Sequence, residues 1–565
     1  MTMLVDLMTE RGEQLLSARQ TPWDIYPRPQ MRRDSFMNLN GAWDFHVNYE
    51  SHGQIRIPFC PESRLSGIGQ HYDEGSLLSY TRSFTLPEDF NRGSVLLHIG
   101  AADQRADVFL NGKPVGSHKG GYEAFCLDIT DALCQGENRL TICCQDNLEQ
   151  QEYPYGKQTL TRGGMWYTPV SGIWQTVWLE SVPKAYIQKL NIENRGYGVT
   201  ISIEPKLEGK VTVPSLGEFA LVAGAVTITP EKPHLWSPEN PHLYDFVLEA
   251  GEDRIESYFA IRALEIKQEG KYPRLCLNGK PYFFHGLLDQ GYWPDGIFTP
   301  AMPQCYADDI LAMKRLGFNT LRKHIKVEPE EFYYQCDKLG MIVFQDMVNN
   351  GDYNFLRDTA LPTVGIQKLN DRNLHSDETT RRMFLDGMKA TVNQLKNHPS
   401  ICYWTIFNEG WGQFDSDTVY EAFRQLDDTR FIDSTSGWFR RRKTDVDSRH
   451  VYFRKVKLSG DGKKPLVLSE FGGKTYACEN HVFNPDKSYG YGGCNTPEAL
   501  NEAVGKLYME EVLPCIEKGL CATIYTQVSD VEDEINGVLS YDRKVCKLQK
   551  ETMLPIAEAL QNALK

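Results

Sequence analysis

Ile401-Cys-Tyr-Trp-Thr-Ile-Phe-Asn-Glu-Gly-Trp-Gly412 is the stretch on which the fold turns. Its first seven residues are apolar enough to be buried on both faces, as in a strand of a parallel sheet covered by helices. The run then passes straight into an amide, a carboxylate and glycines. A carboxylate at the end of a buried strand has no packing reason to be there. The pattern recurs where Pro465-Leu-Val-Leu-Ser469 runs into Glu470-Phe-Gly-Gly473.

Around these two stretches strands and helices alternate. Strand-like runs fall at Tyr282–His285, Asn319–Arg322, Met341–Phe344, Ile401–Phe407, Phe431–Ser434, Asp447–Tyr452, Leu466–Ser469 and Ala522–Tyr525. Helix patterns lie between them at Ala307–Leu316, Glu330–Leu339 and Thr380–Asn397, the last with Phe384, Met388, Val392 and Leu395 on one face. A closing helix is read at Val545–Ala563. Residues 267–565 therefore predict a (β/α)8 TIM barrel, whose chemistry gathers at the C-terminal strand ends. Glu409 ends the fourth strand and Glu470 the seventh.

Upstream the texture is all β. Residues 20–183 read as short strands and turns, with Ser94–Ile99 and Ala106–Leu110 as clear runs and Asn111-Gly112 as a hairpin turn. A β-sandwich is expected there. Residues 184–266 form a smaller β region, its strands at Val199–Ile203, Ala225–Thr229 and Leu243–Leu248, of a length that suits an immunoglobulin-like β-sandwich.

A net charge of −14 argues against nucleic-acid and anionic-membrane partners, which demand a basic face. The fourteen cysteines are scattered without CxxC spacing and read as reduced thiols. Met1–Leu16 carries Asp6, Glu10, Arg11 and Glu13, so it does not read as a signal peptide. No apolar run is long enough to span a membrane. A cytoplasmic address is expected.

Two carboxylates facing each other across a barrel mouth are what glycosidic hydrolysis needs. One stays protonated to supply the leaving oxygen, and the other stays ionised to meet the anomeric carbon. A gap of about 5 Å permits direct attack and retention of configuration.

The domain order and both glutamate motifs resemble glycoside hydrolase family 2, which holds β-galactosidases, β-glucuronidases and β-mannosidases. The likeness runs from Leu39-Asn-Gly-Ala-Trp-Asp-Phe45 to the last helix. It takes in Phe109-Leu-Asn-Gly112, Gly120-Gly-Tyr-Glu-Ala-Phe125 and Gly172-Ile-Trp-Gln-Thr-Val-Trp178. The resemblance implies a jelly roll for the first domain, Glu409 as general acid/base and Glu470 as nucleophile. Asn408 would bind the sugar 2-hydroxyl, His324 the sugar, and Tyr452 the nucleophile. Asp146 would reach a sugar hydroxyl from a jelly-roll loop that continues through Pro154-Tyr-Gly-Lys-Gln158. Trp438, after the fifth strand, is a candidate stacking wall. The family also implies a carbohydrate substrate and an assembly of like chains. No cofactor is expected, nor a metal, because the ligand pattern of the metal-dependent members is not evident.

Several landmarks depart from the family. The Asn-x-Lys triplet of its glucuronidases is replaced by the acidic Asp530-Val-Glu-Asp-Glu-Ile-Asn-Gly537, and its strand-8 tryptophan by Tyr525. Asn349-Asn350-Gly351 and Leu288-Asp289-Gln290 stand where large β-galactosidases carry histidine motifs. The leading expectation is a retaining exo-acting β-glycosidase, a β-galactosidase first. The alternatives are a uronic-acid exo-hydrolase of β-glucuronidase or β-galacturonidase type, reading its carboxylate with Arg440-Arg-Arg-Lys443 or Lys323, and a carbohydrate-binding protein on an inactive barrel.

Overall fold

The computed structural model describes residues 4–18, 20–363, 365–366 and 370–564. In the first domain a six-stranded antiparallel sheet, from Glu50–Ile57 at one edge to Lys113–Lys119 at the other, packs on a four-stranded sheet containing Val177–Val182 and Ser94–Ile99. Trp43, Phe45, Tyr80, Leu97 and Leu179 fill the space between them. Asn111 and Gly112 both take positive φ, as a two-residue hairpin turn requires. The second domain pairs a three-stranded with a four-stranded sheet around Ile201, Val211, Phe246 and Leu248.

Eight parallel strands form the third domain: β1 Phe284–Asp289, β2 Thr320–Lys323, β3 Ile342–Asp346, β4 Ile401–Asn408, β5 Phe431–Ser436, β6 Asp447–Val451, β7 Leu466–Gly472 and β8 Leu520–Thr526. Their spatial order is β5-β4-β3-β2-β1-β8-β7-β6, so the strand ladder is interrupted between β5 and β6. The first barrel strand starts two residues later than the sequence suggests. Tyr282 N donates to Leu275 O (3.1 Å), which assigns the start of that aromatic run to a hairpin under the barrel. That hairpin begins with strand Leu264–Glu269, so residue 267 lies within an element rather than at its edge. Its Leu275 and Leu277 seal the barrel floor against Phe284, Phe344 and Tyr403. No described helix is long and apolar enough to cross a membrane.

Buried arginines lock the domains together. Arg262, leaving the second domain, caps Pro399 O (2.6 Å) and Ile401 O (2.7 Å), and so pins the start of β4. Arg33 binds Asp253 of the second domain (2.7 Å) and Glu180 of the first (3.2 Å), while Arg28 also reaches Glu180 (2.8 Å). Burial pushes the Glu180 carboxyl up, but Arg28, His98 and Arg33 together pull it down further, well below the usual range. Arg33→Met strands the buried Asp253 and leaves Glu180 with Arg28 as its one remaining arginine, and is expected to cost about 3–5 kcal/mol in urea unfolding at neutral pH. Because Glu180 is depressed in the folded state, its contribution is full above the ordinary carboxylate pKa and is lost as pH falls. The gap between wild type and Arg33→Met should therefore narrow in acid.

Candidate active site

β4 delivers Glu409 and β7 delivers Glu470. Glu409 takes a left-handed φ of 52°, a conformation that costs a non-glycine residue about 1–3 kcal/mol and concentrates at functional sites. Its N–H donates to Ser436 O at the end of β5 (3.0 Å). Gly410, also at positive φ, lies under the Phe439 ring, where a Cβ would collide. In β7 the alternation of faces breaks at Ser469. Arg449 pairs with Leu468 and His450 with Glu470, so Ser469 is the extra residue of a bulge. Leu466 and Leu468 pack into the helix layer and Val467 into the barrel interior. Strict alternation would send Glu470 outward with Leu468. The bulge turns Glu470 inward and puts Phe471 in the helix layer instead.

The facing atoms of Glu409, Glu470 and His450 all lie within 4.8 Å of one another. Beneath them sits the buried guanidinium of Arg322, donating to Glu470 Oε1 (3.1 Å), Ser469 O (3.0 Å), Asn408 Oδ1 (2.9 Å) and Asp346 Oδ1 (2.9 Å). Asn408 thus has its oxygen on the guanidinium and its nitrogen as the available donor. Asp346 Oδ2 also holds His324 Nδ1 (2.7 Å). Tyr452 donates to Glu470 Oε2 (2.9 Å) and stacks on Tyr491. His450 Nδ1 lies 2.7 Å from Glu409 Oε1. Burial raises the Glu409 carboxyl, against the opposing pull of Lys157, His324 and Arg322. Burial also lowers His324, and it pushes His450 down to about 4.

These groups open into a pocket walled by Lys157, His324, Trp438, Tyr489, Tyr491 and Glu534. Lys157 comes from the first domain, on a loop anchored to the barrel. Tyr155 N donates to Asn349 O (3.0 Å), Tyr155 OH to Gly351 O (2.8 Å), and Asn350 Nδ2 to Glu152 O (2.7 Å). The Lys157 ammonium sits 5.7 Å from the Trp166 ring, and no carboxylate among the described residues closes an ion pair with it. Opposite, an amide chain runs from Gln290 to Gln527 (2.8 Å), to Asn536 (2.9 Å), to Glu534 (3.0 Å). Tyr167 donates to the other Glu534 oxygen.

Glu409, Glu470, His324, Tyr452 and Trp438 line this pocket; Asn408 does not line it and is tied to it through Arg322, which binds both Asn408 and Glu470. Asp146 does not reach it. Its backbone carbonyl accepts from Gly75 (2.7 Å) at the end of a first-domain strand, and its carboxyl is buried there, raised by burial and by Asp103 and Glu74. The same domain contributes Lys157 instead. The basic run lies outside the pocket too, with Arg440 on Asp447, Arg441 on Asp371 and Lys443 on Glu421. Lys323 is spent on Asp289 (2.7 Å) and Glu328 (2.8 Å). Sequence reasoning passed over His450, Asp346 and Glu534. His450 carried a usable signal, because residues two apart on a strand share a face and it precedes Tyr452 by two.

Residues 268–480 match the TIM barrel domain model of glycosyl hydrolases family 2, residues 43–165 the glycosyl hydrolase 2 galactose-binding domain-like model, and residues 181–262 a further family 2 model. The chain is 23% identical to a β-galactosidase from Thermoanaerobacter pseudethanolicus over 503 residues, covering 80% of this chain and 63% of the relative. It is also 23% identical to a β-glucuronidase from Bacteroides fragilis over 402 residues, covering 66% and 56%. It thus spans roughly six-tenths of the length of these curated relatives. Among solved structures, the β-D-glucuronidase of Dictyoglomus thermophilum superposes with a TM-score of 0.73 at 20% identity, covering 95% of this chain and 98% of that one. A β-galacturonidase from Eisenbergiella tayi bound to galacturonate gives 0.66 at 19%, with coverage of 95% and 98%. These structural likenesses establish the fold.

Lys157 is the strongest opponent of burial at Glu409, so Lys157→Met should raise the pH at which Glu409 ionises. Difference infrared titration of the carboxyl band, with Glu409→Gln as blank, measures it. A downward move would contradict the electrostatic assignment.

Proposed function

The chain belongs to glycosyl hydrolase family 2, and we propose that it is a retaining, exo-acting β-glycosidase that removes terminal hexuronic acids from β-linked conjugates. One observation carries the chemistry: the facing oxygens of Glu409 and Glu470 lie within 4.8 Å, the spacing of direct attack rather than of an interposed water. Glu470 attacks the anomeric carbon while Glu409 gives its proton to the departing glycosidic oxygen. The C–O bond to the aglycone breaks and an ester to Glu470 forms. Water then enters, Glu409 takes its proton, and the hydroxyl displaces Glu470 with net retention. Asn408 donates to the 2-hydroxyl, and Arg322 with Tyr452 holds the nucleophile in place. A pocket capped by a loop of another domain suits a chain end.

The sugar class rests on Lys157, a cation in the pocket without a carboxylate partner, suited to a uronate. Solved relatives named as β-glucuronidase and β-galacturonidase favour the same reading. A neutral β-galactoside is the second reading, and Glu534 supports it. Its carboxylate accepts from sugar hydroxyls and repels an acid placed against it.

Nitrophenyl β-glucuronide, β-galacturonide and β-galactoside separate the two readings. Uronide kcat/KM is expected to exceed the galactoside value at least about tenfold. Lys157→Met should raise KM for uronides by about 10- to 100-fold, the worth of one charged hydrogen bond. Galactoside turnover with no uronide turnover would overturn the sugar class. For the chemistry, Glu470→Ala should be inactive and yield a glycosyl azide of inverted configuration when azide is added. A product of retained configuration would remove Glu470 as nucleophile.

A further inference from the structure

The break in the strand ladder between β5 and β6 is bridged by side chains. Ser436, the last residue of β5, places Oγ 3.0 Å from His450 Nε2, 3.1 Å from Ser469 Oγ and 3.3 Å from Ser448 Oγ. Ser448 and Ser469 Oγ lie 2.6 Å apart, and Ser469 Oγ donates to Arg449 O (3.2 Å). All four side chains are buried.

Counting protons fixes their directions. Ser469 gives its only proton to a carbonyl, so the 2.6 Å contact takes the Ser448 proton and the 3.1 Å contact takes the Ser436 proton. Ser469 accepts both with its two lone pairs. Ser436 then has no proton left for His450, so the 3.0 Å contact is His450 Nε2–H donating to Ser436 Oγ. The reverse assignment leaves both the Ser436–Ser469 and the Ser436–Ser448 contacts without a proton, whereas this one leaves only the 3.3 Å Ser436–Ser448 contact without one.

The imidazole, kept neutral by burial, therefore turns a bare Nδ1 lone pair toward Glu409 Oε1 at 2.7 Å and Glu470 Oε2 at 3.6 Å. A lone pair that close to a carboxyl oxygen requires a proton between them. Glu470 already accepts from Arg322 and Tyr452, so the proton belongs to Glu409. Gly437 gives the ring its room, since a Cβ there would stand 2.7 Å from Nδ1. Trp438 packs against the ring edge.

We propose that His450 is a positioning residue that holds the proton on Glu409, accepting it at Nδ1 in a tautomer set by the Ser436–Ser469 relay. The proposal rests on Glu409 being the general acid. In the resting pocket the O–H of Glu409 points at His450. When a glycosidic oxygen arrives, that proton goes to the leaving group, and the water of the second step restores it. His450 itself gains and loses no proton over the cycle. The other charged groups facing Glu409 are Glu470, Lys157, His324, Arg322 and Asp358, those facing His450 are Glu470, Arg322, Asp346 and Lys157, and Arg454 and Glu534 line the same pocket. They are common to every variant below.

Accepting from the protonated acid stabilises that form, so removing the acceptor makes Glu409 ionise more easily. In substrate-free difference infrared titration against Glu409→Gln, His450→Phe should lower the Glu409 midpoint by about one pH unit. His450→Gln, which returns an amide acceptor, should recover part of it. Ser436→Ala leaves the ring in place, frees the tautomer, and should move the midpoint in the same direction by less. In turnover, the basic limb of kcat/KM should follow the same shifts. His450→Phe should slow alkyl glycosides more than dinitrophenyl ones, which need no proton. An unchanged or raised midpoint overturns the proposal, the latter because it marks an N–H donor to ionised Glu409. The infrared result decides the matter even if no glycoside is hydrolysed, an outcome that would instead sink the functional reading.

Discussion

A guanidinium sealed from water must be met by fixed charges and dipoles, and at the centre of this barrel Arg322 is met from β3, β4 and β7 at once. Its donors reach Asp346, Asn408, Ser469 O and Glu470, so a single cation from β2 sets where three other strand ends must stand. Asp346 passes the constraint on to His324. The arrangement is an ionic lattice in which no member can move without stranding another. That rigidity lets a carboxylate and a carboxylic acid coexist within 4.8 Å.

What surrounds that lattice is supplied by another domain. The anchors between Tyr155 and the Asn349–Gly351 turn carry Lys157 over the barrel mouth. The departures of Asn349 and Asn350 from the family's usual residues thus acquire a purpose as loop fasteners. Arg33 and Arg262 act on a longer scale, holding the first two domains against the barrel so that the loop meets its turn in register. Lys157 and Glu534 then face one pocket, where burial raises the Glu534 carboxyl and Tyr167 and Lys157 pull it back.

The apolar run of β4 and the strand–helix alternation after it were legible because burial on both faces leaves a compositional mark. Glu409 and Glu470 were legible because a charge at the end of such a run breaks the mark. Asp146 misled for the opposite reason. It ends a strand of a domain that does face the barrel, and only the path of the backbone reveals that its carboxyl turns inward while Lys157, eleven residues on, reaches the pocket. The basic run Arg440–Lys443 looked like an anion site, but local aspartates and a glutamate consume Arg440, Arg441 and Lys443, and the run lies outside the pocket. Charge in a sequence shows what is present, whereas pairing is decided in space.

The bulge at Ser469 ties these strands together and could not be read from residue types. With regular alternation Ser469 would face the interior and Glu470 the helices, and the pocket would lack its second carboxyl. One extra residue lets both point inward, Glu470 opposite His450 and Ser469 into the hydroxyl cluster. The absence of backbone ladder bonds between β5 and β6 has the complementary effect. It leaves room for Ser436, Ser448 and Ser469 to meet as side chains, and their proton directions run outward to a backbone carbonyl. A closed ladder would satisfy the same strand ends with backbone groups whose donors and acceptors cannot be rearranged. Here the barrel gives up a few ladder bonds at one seam and gains a chain of hydroxyls that dictates which ring nitrogen faces the acid. The irregular part of the sheet is therefore the part that sets the protonation of the site.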